Sequence, residues 1–299
     1  SLVDIILFSK DVQDHMARIK EIIGHLAAAN LRLKPSKCHF FRKEVEFLGH
    51  IVSEKGVSTD PLKVKAMAEW EVPGRVKDVR SFLGLTGYYR RFIKGYGQIA
   101  KPLHEMTMKG ASLTWTKERD QAFKTLKEAM LQAPILGYPS SREEDTFILD
   151  TDASNCHIGA VLSQMQDGEE KVLSYASKVL SPSERNYCVT RRELLAVVFF
   201  VRHFRHYLLG RTFTVRTDHG ALRWLFDFKD PEGQVARWLE QLSAYTFNIE
   251  HRAGVKHGNS DGMSRRPCPD DCRTCKKGEI VVVWKAAEKK VHREESVHR

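Results

Sequence analysis

The sequence predicts an α/β protein whose main domain is a mixed sheet flanked by helices, preceded by a helical stretch and a short piece of mixed α and β. Three observations carry this. Behind about residue 143, three strand-like runs follow one another and then helix, strand, helix, strand and helix alternate, as a mixed sheet with flanking helices requires. From residue 61 to residue 132 the sequence reads as a helical stretch, with helices opened at Asp60-Pro61, at Asp78 and at Lys117. Between these stretches, YPSSREEDTF (Tyr138 to Phe147) combines proline, serines and charges, the composition of a linker between two cores.

In chain order, Val3 to Phe8 is an apolar run that reads as a buried strand with nothing before it to pair against, so the start reads as a cut through a domain. From His15 to Leu33, Ile19, Ile22, Ile23, Leu26 and Leu31 keep helical spacing. CHFF, VEFLGHIV and GVSTD are short β-rich pieces parted by Arg42 to Glu44 and by SEKG, which fits a small antiparallel hairpin. Asp60-Pro61 opens a helix, and Asp78 caps another that runs through VRSFLGLTGYYRRFI to Ile93. A third helix spans Lys117 to Gln132 and is stopped by Ala133-Pro134. Past the linker, TFILDTDA, IGAVLSQM and KVLSYASK are strands, VTRRELLAVVFFVRHFRHYLL is a long helix, and TFTVRTD is a strand. GQVARWLEQLSAY follows as a helix, TFNIEHRAG as the last strand, and NSDGMSR starts a final helix. The tail after Pro267 is polar and charged apart from IVVVW, and it is expected to be poorly ordered.

A chain of 299 residues, 42% of them hydrophobic, has enough length and apolar matter for two cores. Its longest apolar run, LLAVVFFV (Leu194 to Val201), falls far short of the roughly 20 residues that a membrane helix needs, and no signal pattern opens the chain. Six scattered cysteines (Cys38, Cys156, Cys188, Cys268, Cys272 and Cys275) read as reduced thiols. Together these predict a soluble intracellular protein, with no membrane partner. A formal charge of +10 and a pI near 9.3 favour polyanions, because lysines and arginines set against phosphates release condensed counterions. A well-solvated basic surface gives the same number, so charge alone does not decide.

Four carboxylates at the ends of these elements carry the chemistry. Asp152 lies near the C-terminal end of FILDTDAS, followed by small residues that let a ligand come close, and Asp218 follows TFTVRT, a strand expected to run parallel to the first. Sites in open sheets form outside the carboxyl ends of parallel strands, so both acids point to one cleft. Glu193 is expected in the first turn of the long helix and Asp261 at the start of the last, where the helix dipole favours acids. Converging carboxylates repel one another unless a cation stands between them. Hard oxygen ligands suit magnesium or manganese, and two such ions about 3.5 to 4 Å apart suit phosphodiester hydrolysis. Taken singly, each acid is more simply a surface residue; the order of the elements is what joins them. Asp150 shares a strand face with Asp152 and reads as a bystander.

The chain resembles the pol polyprotein of gypsy-type long-terminal-repeat retrotransposons. The matching stretches are LRLKPSKCHFF, VEFLGHIVSEKG, RSFLGLTGYYRRFI, KPLHEM, LTWTKERDQAFKTLKEAM, DTDASNCHIGAVLSQ, SYASKVLSPSERNY, RRELLAVV, HYLLGRTFTVRTDH and IEHRAGVKHGNSDGMSRRP, which together cover residues 1 to 267. The resemblance implies that residues 1–60 are the C-terminal part of a truncated reverse-transcriptase palm. It makes 61–142 a helical thumb and linker, 143–266 an RNase H-like domain, and 267–299 a spacer. It also implies a catalytic, metal-binding tetrad of Asp152 from TDAS, Glu193 from REL, Asp218 from TDH and Asp261 where the family has an aspartate before LSR, holding two Mg²⁺ or Mn²⁺ ions. The implied activity is cleavage of the RNA strand of RNA–DNA hybrids, in a cytoplasmic particle or the nucleus, with a complete reverse-transcriptase subunit as a further candidate partner.

One departure matters. The polymerase motif of the family is an aromatic, a variable residue and two aspartates, and here Ser1, Leu2, Val3 and Asp4 stand in its place. Valine cannot bind a cation, so templated synthesis is not expected from this chain alone. VEFLGHIV resembles the hairpin that grips the primer strand, and the helix through SFLGLTGYYRRFI resembles one lying along the duplex. Arg90 and Arg91 are its candidate phosphate contacts, while Phe82, Leu83, Leu85, Tyr88 and Phe92 read mostly as core. His251 and His257 are alternatives for a histidine near the nuclease site, and both read more simply as structural or solvated. Cys268, Cys272 and Cys275 lack an obvious fourth zinc ligand. A competing function is a domesticated fragment that only binds nucleic acid or protein. An integrase needs acids in the order Asp, Asp, Glu, whereas these run Asp, Glu, Asp, Asp.

Overall fold

A computed structural model describes residues 4–218, 222 and 233–251. The chain divides into two compact units, one built from residues up to 93 together with 102–138, the other from 94–101 together with 139 onward.

In the first unit, helix α1 (Val12–Ala28) starts at Asp11, whose carboxylate accepts from the Asp14 amide. The expected strand before it is not formed: Asp4 to Phe8 are irregular, and Ile5 and Phe8 are exposed. An isolated run gains nothing from strand geometry without a neighbour to share its ladder hydrogen bonds. The β-rich pieces form a three-stranded antiparallel meander, β1 (Glu44–Phe47), β2 (His50–Ser53) and β3 (Gly56–Thr59), in the order β1-β2-β3. Asp60 then caps α2 (Pro61–Ala68), with Pro61 at the first helical position, where its missing amide hydrogen costs nothing.

Helix α3 (Val76–Tyr88) begins one turn earlier than expected, and Asp78 sits inside its first turn. The helix ends at Tyr88 and gives way to a 3₁₀ turn, Arg90–Phe92. Tyr88 is 52% exposed, so it does not join the core as the sequence suggested, whereas Phe82 and Phe92 do. Helix α4 (Tyr96–Glu105), with Pro102 inside it, was not expected. Helix α5 (Lys117–Leu131), capped by Thr116, follows. Phe82 packs on Phe123 of α5 with ring centroids 4.6 Å apart, and Met67, Leu126 and Met130 of the same unit are fully buried.

The second unit holds a five-stranded sheet in the order β6-β5-β4-β7-β8. Strands β4 (Phe147–Ala153), β5 (His157–Gln166) and β6 (Glu169–Val179) pair antiparallel. After α6 (Pro182–Arg185), helix α7 (Val189–His203) lies against β4 and β5. The long helix expected to reach Leu209 breaks at Phe204, and α8 (Arg205–Leu208) is a separate turn. Strand β7 (Thr212–Thr217) then pairs parallel to β4, α9 (Gly233–Leu242) packs on α7, and β8 (Thr246–His251) pairs parallel to β7. Leu194 to Val198, Phe200 and Val201 are all buried, since sheet and α9 cover α7 from different sides. Each leucine, valine and phenylalanine among them contributes about 1.5–3 kcal/mol by leaving water. The final helix expected at NSDGMSR, and the tail, lie outside the described residues.

Candidate metal centre

Register places the first two acids. The parallel pairing of β4 with β7 sets Leu149 beside Val215, Asp150 beside Arg216 and Thr151 beside Thr217. One step further along both strands, at their carboxyl ends, stand Asp152 and Asp218. Glu193 comes from α7 and is 3% exposed. It is the fifth residue of that helix and not, as expected, in the first turn, so packing against the sheet directs it here more than the helix dipole does. Each of the three offers a carboxylate oxygen, and these oxygens all lie within 4.8 Å of one another. Asp152 is exposed and Asp218 half-buried, so the group opens outward from a buried glutamate. Asp261 lies outside the described residues.

The surroundings fix the two strand ends. His251, the last residue of β8, brings Nε2 to 3.0 Å from the Asp218 carbonyl. A carbonyl only accepts, so Nε2 donates, and the imidazole holds the backbone of Asp218. His251 thus ends a strand beside the acids; His257 lies outside the described residues. On the other side, the turn after Asp152 is tied by Ser154, whose hydroxyl accepts from the amides of Cys156 and His157 and lies 2.6 Å from His157 Nδ1. Burial pushes the His157 imidazole below its ordinary range, against the raising influence of Asp152.

Asp150 is engaged elsewhere. Its carboxylate lies 4.0 Å from Arg216, which also meets Glu170 at 2.8 Å and Glu250 at 3.7 Å, and Asp150 does not join the three-carboxylate group. Arg90 is exposed on the 3₁₀ turn of the first unit. Arg91 is half-buried with its guanidinium 5.7 Å from the centre of the Phe92 ring, so only Arg90 faces outward as the sequence suggested for both. Cys268, Cys272 and Cys275 lie outside the described residues.

Three carboxylates this close, one of them buried, are a donor set that fits a hard divalent cation, whose charge offsets their mutual repulsion. Among the described residues no helix is long and apolar enough to cross a membrane.

Residues 142–245 match the RNase H-like domain found in reverse transcriptase. Over 265 residues the chain is 43% identical to the retrovirus-related Pol polyprotein from transposon 297 of Drosophila melanogaster, a match covering 88% of this chain and 24% of that protein. It is 35% identical over 276 residues to the Pol polyprotein from transposon opus of the same fly, covering 88% of this chain and 27% of that one. With the Tf2-3 transposon polyprotein of Schizosaccharomyces pombe it shares 32% over 278 residues, 90% of this chain and 21% of the relative. The chain therefore spans about a quarter of the length of these curated relatives. Among solved structures, the foamy viral protease-reverse transcriptase in complex with RNA/DNA hybrid aligns with a TM-score of 0.69 at 20% identity, over 92% of this chain and 37% of that one. Its dRH form in complex with double-stranded DNA aligns at 0.67 and 21%, over 81% and 44%. At these identities the likeness is one of fold.

Proposed function

Since the chain belongs to the Pol polyproteins of long-terminal-repeat retrotransposons, we propose that it is a metal-dependent endonuclease that hydrolyses the RNA strand of RNA–DNA hybrids. The observation that carries this reading is the convergence of Asp152, Glu193 and Asp218, with carboxylate oxygens within 4.8 Å of one another at the carboxyl ends of two parallel strands. In this reading Asp261 completes the set, and two Mg²⁺ or Mn²⁺ ions are held by the four acids. When bound, such ions supply the positive charge that activates a water and offsets charge on the leaving oxygen.

The chain's own residues do the rest. Glu193, buried on a packed helix, cannot swing away, so it sets the floor of the site. Asp152 is exposed and is followed by Ala153 and Ser154, side chains small enough for a sugar-phosphate backbone to lie close. The Ser154 turn steadies the end of β4 and His251 the end of β7, each beside one of the acids. A hybrid would be read through its shape and the 2′-hydroxyls of one strand, more than through base sequence. In the same reading, 1–60 is the end of a palm, 61–142 a thumb and linker, and 143–266 the nuclease domain, working in an intracellular particle or the nucleus. With Val3 at a polymerase ligand position, the chain alone does not copy a template.

The test is incubation of the purified chain with a labelled RNA–DNA hybrid, with duplex DNA as control. Magnesium- or manganese-dependent cutting of the RNA alone is expected. Cutting that persists in EDTA, or none with either metal, defeats the proposal.

A further inference from the structure

Side chains alternate along a strand, so Asp150 and Asp152 leave β4 on the same face, about 7 Å apart along the chain. The face that carries one acid of the metal centre thus carries another directly behind it. Register sets Arg216 of β7 beside Asp150, and Glu250 of β8 beside Arg216. The guanidinium lies 4.0 Å from the Asp150 carboxylate, 2.8 Å from that of Glu170 on β6 and 3.7 Å from that of Glu250. Glu170 is held in turn by the Ser163 hydroxyl of β5, which donates to it at 2.7 Å. One cation gathers acids from β4, β6 and β8, and with Ser163 the network touches all five strands. The side chains of Arg216 and Asp150 are only 20% and 27% exposed, so water screens this pair in part.

A carboxylate left uncompensated at the Asp150 position would attract a cation bound at Asp152, and a turn of its side chain would offer a further hard oxygen. An extra oxygen ligand takes the place of a water, and water is the reactant in hydrolysis. Asp150 nevertheless stands outside the group formed by Asp152, Glu193 and Asp218.

We infer that Arg216 is a positioning residue, which holds Asp150 away from the metal centre by charge and by direction and so keeps a competing acid of the same strand out of the ligand set. The inference rests on the metal-dependent reading proposed above. A tie that served the sheet alone would leave metal binding indifferent to its loss, and this separates the two roles.

The experiment uses the full chain and four proteins: the parent, Arg216→Gln, Asp150→Asn and the double variant. Mn²⁺ affinity by titration calorimetry, hybrid cleavage and the thermal midpoint are read on each. Arg216→Gln should bind Mn²⁺ about tenfold more tightly, because a negative charge beside the centre is freed. Its kcat should fall about tenfold. Asp150→Asn alone should bind Mn²⁺ within about threefold of the parent, and the double variant should return to that range, since it has no carboxylate to free. Unchanged Mn²⁺ affinity in Arg216→Gln, or a change that Asp150→Asn does not reverse, overturns the inference even if the midpoint falls. Should Arg216→Gln fail to fold, Asp150→Asn decides alone: about tenfold weaker Mn²⁺ binding would show that Asp150 already serves the ions and overturn the inference, and parent-like binding supports it. A parent that binds Mn²⁺ without cutting hybrid defeats the nuclease reading and leaves the calorimetric comparison to decide this one. A parent that binds no Mn²⁺ overturns both.

Discussion

Glu193 is buried beside two other carboxylates, and this crowding is testable without any substrate. In EDTA the three negative charges repel, so Asp218→Asn, which keeps shape and removes one charge, should raise the thermal midpoint of the apo protein. Adding magnesium should then stabilise the parent, because a ligand that binds only the folded state adds to its stability, and should stabilise the variant much less. A midpoint unmoved by magnesium in both proteins would mean the carboxylates hold no ion. In the hybrid assay, Asp152→Asn and Asp218→Asn should each lower kcat by at least about a hundredfold while leaving hybrid affinity near that of the parent. Sequence alone brought Asp152 and Asp218 together, because period-2 runs and parallel order already fix which strand ends are neighbours. Glu193 was placed a turn too early, since its direction depends on how α7 rotates against the sheet. Nothing local announced that Tyr88 would leave the core for the Leu48 carbonyl, a contact made across 40 residues.

At the level of elements, the meander of the first unit depends on one residue without a side chain. Gly56 has φ +133°, and a Cβ there would lie 2.2 Å from the Leu136 carbonyl oxygen, where the backbone of Val57 exchanges hydrogen bonds with Leu136. Gly56→Ala should therefore destabilise this unit by about 2 kcal/mol or more, seen as a lower denaturation midpoint. Leu48, in the β1–β2 turn, stands at φ 47°, and Leu48→Gly should do the reverse, by about 1 kcal/mol, because glycine relieves the positive-φ strain. In the second unit, Asp145 is nearly buried, and the Ser140 hydroxyl, followed by Arg142 at 2.8 Å, holds its carboxyl below the ordinary range. Its contribution to stability is complete above the unfolded carboxyl pKa near 4 and is lost as the pH falls through the lower folded value. Asp145→Asn should accordingly flatten the acid limb of a midpoint-against-pH curve. Most elements were legible from periodicity and caps. The exceptions have local causes: α4 was hidden by Gly95, Gly97 and Pro102, the run at residues 4–8 pairs with no strand among the described residues, and the helix break at Phe204 carries neither glycine nor proline to mark it.

For the whole molecule, a charge of +10 predicts hybrid affinity that falls steeply with salt. Arg90→Ala/Arg91→Ala should flatten that dependence by about one unit of slope per lost phosphate contact, and less than two units are expected because Arg91 already rests on Phe92. No primer extension should accompany nuclease activity in a homogeneous preparation; robust extension would show that Val3 does not occupy a ligand position. The basic charge was visible in composition, and the linker composition of Tyr138 to Phe147 stands where residue 139 opens the longer segment of the second unit. What the sequence could not convey is that the sheet-bearing unit is not one continuous stretch: it includes residues 94–101, where the Gly97 amide donates to the Ser177 hydroxyl of β6 at 2.7 Å and leaves a Cβ only 3.1 Å of room. A recombination event that exchanged only the stretch from residue 139 onward would import a new edge strand and leave segment 94–101 behind, mismatched at Gly97. Segments 94–101 and 139 onward are thus bound to be inherited together, although 37 residues of another unit are stitched between them.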